Sequence, residues 1–277
     1  MSILNKKVFS LYFFGFSLLS LSLFVTIILL NGDSASIVSD SNSYITSSKK
    51  IINGNIEFGY RLPLYVLLIA TNLIFFENFY ILLILNFLFF LAICYLSIKI
   101  IIFLNIKINL YLLFTIIFFN PLLFSYNFYI LPDIFFTLFL VYLFYLLLFN
   151  KNTRLSFRTI ILMLISLVSL TYLRANAIYL IFILVIFIFL YDKDTFKNKI
   201  IKIILSLIFY YFLIFPFMYF NYLKYDKFTL VSPQYKNLAI TDNLLYFKMY
   251  SSNLSREKAK EKKLIIFNKI TDKDLSY

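Results

Sequence analysis

Seven charged side chains stand near the ends of apolar runs in this chain: Asp33, Asp40, Glu57, Arg61, Glu77, Asp133 and Arg174. Polar groups beside lipid are costly, so they mark function by default. A carboxylate can take a proton from a hydroxyl, and an arginine can hold a phosphate through paired N–H donors. The set therefore fits an anionic ligand, with or without a bound metal. Each residue also has a plain structural role open to it. Asp40 can cap a helix, and Arg61 can anchor at the interface with its stem in the apolar layer. Asp133 can start a helix after Pro132, and Arg174 can close a span. Histidine is absent, which excludes Ser-His-Asp and His-zinc chemistry. Acid–base work falls to carboxylates, Lys or Tyr. The one cysteine, Cys94, lies inside an apolar run. There it forms no disulfide or paired-Cys metal site and packs as a small hydrophobe.

Those residues need elements to hold them, and composition says of what kind. Of the 277 residues, 62% are hydrophobic and 14% charged, against about half and about a quarter in an ordinary soluble domain. So little polar surface cannot shield such a core from water, and lipid must be part of the solvent. The expected fold class is all-α, a polytopic transmembrane bundle of seven spans with an amphipathic first outer loop. The run from Val8 to Leu30 is too long for a signal-peptide core and long enough to cross. Within the polar stretch 31–60, a surface helix is expected from Asp40, as its cap, to Asn53, stopped by Gly54. Tyr44, Ile45, Ile51 and Ile52 would share one of its faces. The apolar run that follows Arg61, up to Phe76, is short for a span and is assigned to the interface or to a re-entrant segment. Further spans are expected at 79–104, 110–124, 134–149, 160–173, 177–190 and 201–220. Residues 1–222 form the membrane module. Residues 223–277 form a polar outer tail with an amphipathic helix over 253–270.

The net charge of +13 would suggest nucleic acid on a soluble protein. Here the cations sit in short loops between apolar runs, where the positive-inside rule accounts for them. With seven spans, one side carries Lys6, Lys7, Lys99, Lys107, Lys151, Arg154, Arg158, Lys193, Lys197, Lys199 and Lys202. The other side, before the tail, carries only Lys49, Lys50, Arg61 and Arg174. This excess puts the N-terminus in the cytoplasm, the chain in the plasma membrane, and the candidate residues outside. No nucleic-acid partner is expected.

The order of features along the chain adds to this. One helix is followed by an outer loop with Asp40-Ser-Asn-Ser-Tyr44, then Gly54, then Arg61-Leu62-Pro63-Leu64-Tyr65. Later come Asn120-Pro121, Leu131-Pro132-Asp133, Tyr172-Leu173-Arg174, Phe215-Pro216 through Asn221-Tyr222, and Tyr235-Lys236-Asn237-Leu238. This order resembles the C-type integral-membrane glycosyltransferases, in particular the family of protein mannosyltransferases and aminoarabinose lipid A transferases. Their first outer loop carries an acidic residue in an Asp-x-x-x-Tyr element, a surface helix, and a basic residue before Pro-Leu-Tyr. The likeness spans Val8 to Leu238. It departs at Phe220 and Lys236, where relatives have Arg and Gly, and relatives continue with further spans beyond the point where this chain stops.

The resemblance implies a membrane glycosyltransferase that moves a sugar from a polyprenyl-phosphate donor to an acceptor hydroxyl at the outer face. Asp40 would be the general base. Arg61, with Tyr44, Arg174 and Asp133, would bind substrate. A divalent metal near Asp40 occurs in some relatives, and nothing in this sequence specifies one. Membrane lipid, the lipid-linked donor and a partner subunit are the implied partners. Two other classes stand beside this one. A transporter or flippase of lipid-linked sugars would share the charged residues, although no internal repeat or broken midplane helix is visible in the sequence. A truncated, non-catalytic remnant would explain the early stop.

Overall fold

The computed structural model describes residues 3–32, 37–56, 58, 61–106, 108–151 and 153–230. Asp33, Glu57, Lys107, the Tyr235–Leu238 motif and the expected helix over 253–270 lie outside them. The described residues are helical throughout, without a strand. In order they form α1 (Ile3–Asn31), α2 (Ser39–Ile52), α3 (Pro63–Phe75), α4 (Tyr80–Phe103), α5 (Leu110–Phe118) and α6 (Pro121–Ser125). There follow α7 (Asp133–Phe149), α8 (Phe157–Leu173), α9 (Ile181–Tyr191) and α10 (Phe196–Tyr225). Short 3-10 segments at Tyr126–Phe128 and Ala175–Leu180 extend α6 and precede α9.

Among the described residues, three helices are long and apolar enough to cross a membrane, within Lys7–Asn31, Tyr80–Phe103 and Phe196–Lys224. A fourth crossing is available if α5 and the segment Pro121–Phe128 act together. The other apolar helices are shorter. At 17 residues each, α7 and α8 extend about 25 Å, a little less than the ~30 Å hydrocarbon layer. The surface is apolar as well as the interior. Leu11, Leu29 and Phe212 are 72%, 80% and 69% exposed, as on helices that face lipid rather than water.

The expected span over 110–124 is interrupted. Asn120 ends α5 in an extended conformation, and its side chain accepts from Leu123 N at 3.0 Å, which starts α6 with Pro121 at the first position. Pro is favoured there because its missing N–H would be unpaired anyway. The two parts meet at 42°. The break corrects the expectation of one continuous span over 110–124. Similarly, the first turns of the expected 177–190 span are 3-10 rather than α-helix.

The chain divides into two units, Met1–Phe217 and Met218–Tyr277. In the first, α4 packs on α7, α7 on α8, α3 on α2 and α8, and α1 on α5. Aromatic rings fill these seams. Phe24 stacks on Phe87 at 4.6 Å, and Phe90 meets Phe118 edge-on at 6.0 Å. Helix α4 runs parallel to α7, with Phe89 beside Phe135 and Phe103 beside Phe149, whereas α8 returns antiparallel to α7 and brings Arg174 to Asp133, so this unit has two ends. One gathers α2, the start of α3, the start of α7 and the end of α8. The other gathers the starts of α8 and α10 with the ends of α7 and α9, where Lys193 N donates to Thr153 O at 3.3 Å. In the second unit, the end of α10 turns back through Asp226, at φ 55°, and Asn221 Nδ2 donates to Thr229 O at 2.6 Å.

Candidate active site

Helix α2 begins at Ser39, with Val38 as its cap residue. The expectation that Asp40 is the cap is therefore corrected. Ser41 Oγ accepts from Val38 N at 3.2 Å, and Asp40 is left in the first turn, where a carboxylate is favoured by the helix dipole. Helical spacing then puts Asp40, Ser43 and Tyr44 on adjoining positions of one surface. The face that packs against the protein is Ser41, Tyr44, Ile45 and Ser48, all buried; Ile52, expected there, is exposed. Ser48 Oγ lies 2.8 Å from both Tyr44 O and Val66 O, which ties α2 to α3.

This docking brings Arg61 over α2. The Arg61 Nη2 donates to Asp40 Oδ1 at 3.1 Å and its Nε donates to Ser43 Oγ at 2.7 Å. The guanidinium lies 4.1 Å from the centre of the Tyr44 ring, within cation–π range. Arg61 is thus gripped on three sides, and its side chain is only 14% exposed against 70% for Asp40. Burial pushes the Tyr44 phenol above its ordinary value, against the opposing pull of Arg61. It therefore keeps its proton, and its capacity to donate, at neutral pH.

The second pair comes from further along the chain. Asp133 is the first residue of α7, and Arg174 follows the last turn of α8 with an extended backbone. Arg174 Nη2 donates to Asp133 Oδ1, and its guanidinium sits 5.1 Å from the Phe136 ring centre. Tyr65 joins the two pairs. It is 1% exposed and meets Tyr44 edge-on at 5.3 Å and Phe135 at 5.4 Å. The charge of Asp133 bears on both phenols. The Tyr65 hydroxyl has no hydrogen-bond partner among the described residues.

All five residues expected from sequence, Asp40, Tyr44, Arg61, Asp133 and Arg174, therefore belong to one neighbourhood. Glu77 is exposed in the turn between α3 and α4. Ser43 and Tyr65 were missed. Ser43 was legible as the residue one turn after Asp40, whereas Tyr65 needed the α2–α3 contact. Among the described residues, no group of three or more His, Cys, Asp and Glu could hold a metal ion. Asp40 and Asp133 each face an arginine instead. The arrangement offers two carboxylates, two guanidinium groups and two phenols, which suits a phosphate ester beside a hydroxyl group.

A second ionic cluster, unforeseen from sequence, lies at the opposite end. Lys202 Nζ donates to Asp192 Oδ2 at 2.7 Å and to Leu155 O at 2.8 Å, and lies 3.0 Å from Asp194 Oδ2. Asp192 Oδ1 accepts from Leu155 N and Asp194 N. The cluster joins the loop before α8 to the loop before α10. In the sequence Lys202 reads only as topogenic charge, and Asp192 and Asp194 are not singled out.

No protein-family model, curated protein or solved structure matches this chain.

Proposed function

We propose that this chain is a membrane glycosyltransferase that uses a polyprenyl-phosphate sugar as donor. In this reading the bundle crosses the plasma membrane seven times, with its N-terminus in the cytoplasm and the Asp40 end outside. One observation carries the proposal: two Arg–Asp pairs, remote in sequence, gather around the Tyr44–Tyr65 contact at one end of the bundle. Supporting it, Lys99, Lys151, Arg154, Arg158, Lys193 and Lys197 all lie toward the other end.

The donor's phosphodiester carries one negative charge. When the sugar leaves, the polyprenyl phosphate gains a second. Arg61 would meet that developing charge, which favours the transition state over the ground state. Asp40 would accept the proton of the acceptor hydroxyl as its oxygen bonds to the anomeric carbon. The bond from that carbon to the phosphate oxygen breaks, and its electron pair departs with the phosphate. Arg174 would assist on the phosphate, and Tyr44 would donate to it. The test is transfer from a short-chain polyprenyl-phosphate sugar by the purified chain and by Asp40→Asn. General-base catalysis is worth about a hundred-fold or more, so the variant should lose at least that much while binding donor normally. Full activity in Asp40→Asn would remove the base from the mechanism.

A second reading, a transporter or flippase of lipid-linked sugars, is favoured by the break between α5 and α6, since transporters build binding sites from discontinuous helices. Asn86 and Asn127, fully buried near that break, each have an Oδ1 without a partner among the described residues. Reconstitution into liposomes separates the two: donor crossing the bilayer unchanged, without transfer, would replace the enzyme reading.

A further inference from the structure

The cluster at the Asp192 end borders a cavity of about 500 Å³, within the usual range for ligand sites. Its lining is mixed: Arg154, Ser156, Asp194, Asn198 and Lys202 are polar, and Leu155, Phe157 and Ile201 supply an apolar wall. Phe157 and Ile201 are 59% and 42% exposed, so the apolar wall is open to a ligand.

Arg154 is held at one point. Its Nε donates to Asp194 Oδ2 at 3.2 Å, and its side chain is 73% exposed. Neither Nη has a partner among the described residues, so the outer fork of this cavity-lining guanidinium is available to a ligand. Within the cluster, charges balance: Asp192 and Asp194 pair with Lys202 and Arg154. Asp194 is already engaged by Asn198 Nδ2, Thr195 N, Lys202 and Arg154. It therefore does not compete as a free anion. The other charged side chains of the two loops and first helical turns, Lys151, Arg158, Lys193, Lys197 and Lys199, are all cations.

We infer that this cavity binds the phosphate headgroup of a membrane phospholipid. The Arg154 fork takes two phosphate oxygens, and the first part of an acyl chain runs along Phe157 and Ile201. A free phosphate would use the fork and leave the apolar wall bare. A purely apolar molecule would use the wall and leave the fork unpaired. A phospholipid at the helix ends satisfies both, and the buried Lys202–Asp192 pair keeps the Arg154 partner, Asp194, in position. This site is independent of the glycosyltransferase reading and lies at the other end of the bundle.

The test uses the full chain in neutral detergent with a short-chain phosphatidylglycerol that carries a photoreactive group in its acyl chain. Cross-linked peptides are identified by mass spectrometry, which separates this site from the Asp40 end. Labelling is expected within residues 153–162 and 192–205, away from Arg174 at the other end of α8, and should be competed by unlabelled phosphatidylglycerol. Charge-assisted hydrogen bonds of this kind are worth about ten-fold or more in affinity. Arg154→Gln should therefore lower labelling by that factor. Arg154→Lys, which keeps the cation but not the fork, should fall between. Phe157→Ala should weaken it too, without touching the ionic cluster. Unchanged labelling in both Arg154→Gln and Phe157→Ala would overturn the assignment. Equal competition by a diacylglycerol with the same chains would reduce the cavity to an apolar groove. Equal competition by inorganic phosphate would make it an ion site only.

Discussion

Replacing Lys202 by methionine should cost about 3–5 kcal/mol of folding stability, the range found when one partner of a buried ion pair is removed. The structure sets that range. Lys202 has 7% of its side chain exposed, and Asp192 has none. Without the ammonium, Asp192 keeps only its two backbone donors, Leu155 N and Asp194 N. The Leu155 carbonyl loses its donor as well. Asp192→Asn should be milder, about 1.5–3 kcal/mol: the amide oxygen can keep the two backbone donors, the bond from Lys202 is lost, and Lys202 still has Asp194 and the Leu155 carbonyl. The double variant Lys202→Met with Asp192→Asn should cost less than the two singles added together, since the partners are in contact. Pulse proteolysis across a denaturing-detergent series gives the folded fraction for each protein. A loss of 3–5 kcal/mol is a fall of roughly a hundred-fold to a few thousand-fold in the folding equilibrium. A Lys202→Met loss below about 1 kcal/mol would refute the assignment of a desolvated, mutually dependent pair.

Acid should weaken the same cluster. Hydrogen bonds from Asn198 and Lys202, in that order, hold the Asp194 carboxyl well below its ordinary value. A group whose folded value is depressed contributes stability above its unfolded value and loses it as pH falls toward the folded one. Stability should therefore decline as pH drops below about 4, the ordinary aspartate range, and Asp194→Asn should flatten that limb; an unaltered limb would exclude Asp194 as its source. At the other end, Arg61→Ala should lower donor affinity by about ten-fold or more, and Arg61→Lys by less, because lysine cannot reproduce the planar fork; equilibrium binding of a fluorescent donor decides, and unchanged affinity in Arg61→Ala would leave Arg61 a purely structural tie between α2 and α3. With Cys94 replaced by alanine, Asn42→Cys and Thr153→Cys should react with an impermeant thiol reagent from opposite sides of sealed vesicles. Labelling from the same side would overturn the proposed topology.

The sequence by itself determined the solvent and the fold class. Apolar runs such as Val8–Leu30 are local properties, and no contact elsewhere can make them water-soluble, so their helices stand in the structure where the runs lie. The candidate residues were legible for a related reason: a charge beside such a run needs a cause wherever the chain folds. Local competition blurred the boundaries. Ser41, not Asp40, bonds the Val38 N–H, because a serine three residues on can reach it. Asn120-Pro121 splits a run that hydropathy alone treats as continuous.

Tertiary structure decided what those charges do. Arg61 finds Asp40 across 21 positions, Arg174 finds Asp133 across 41, and Lys202 reaches the Leu155 carbonyl across 47. None of these pairings has a sequence period, because each depends on which helix ends meet in the bundle. Tyr65 became part of the site only when Ser48 fastened α2 to α3. Lys202 read as a loop charge until packing buried it against Asp192. A side chain's cost or use in a membrane protein is set by its partner and its exposure, and both are properties of the folded bundle.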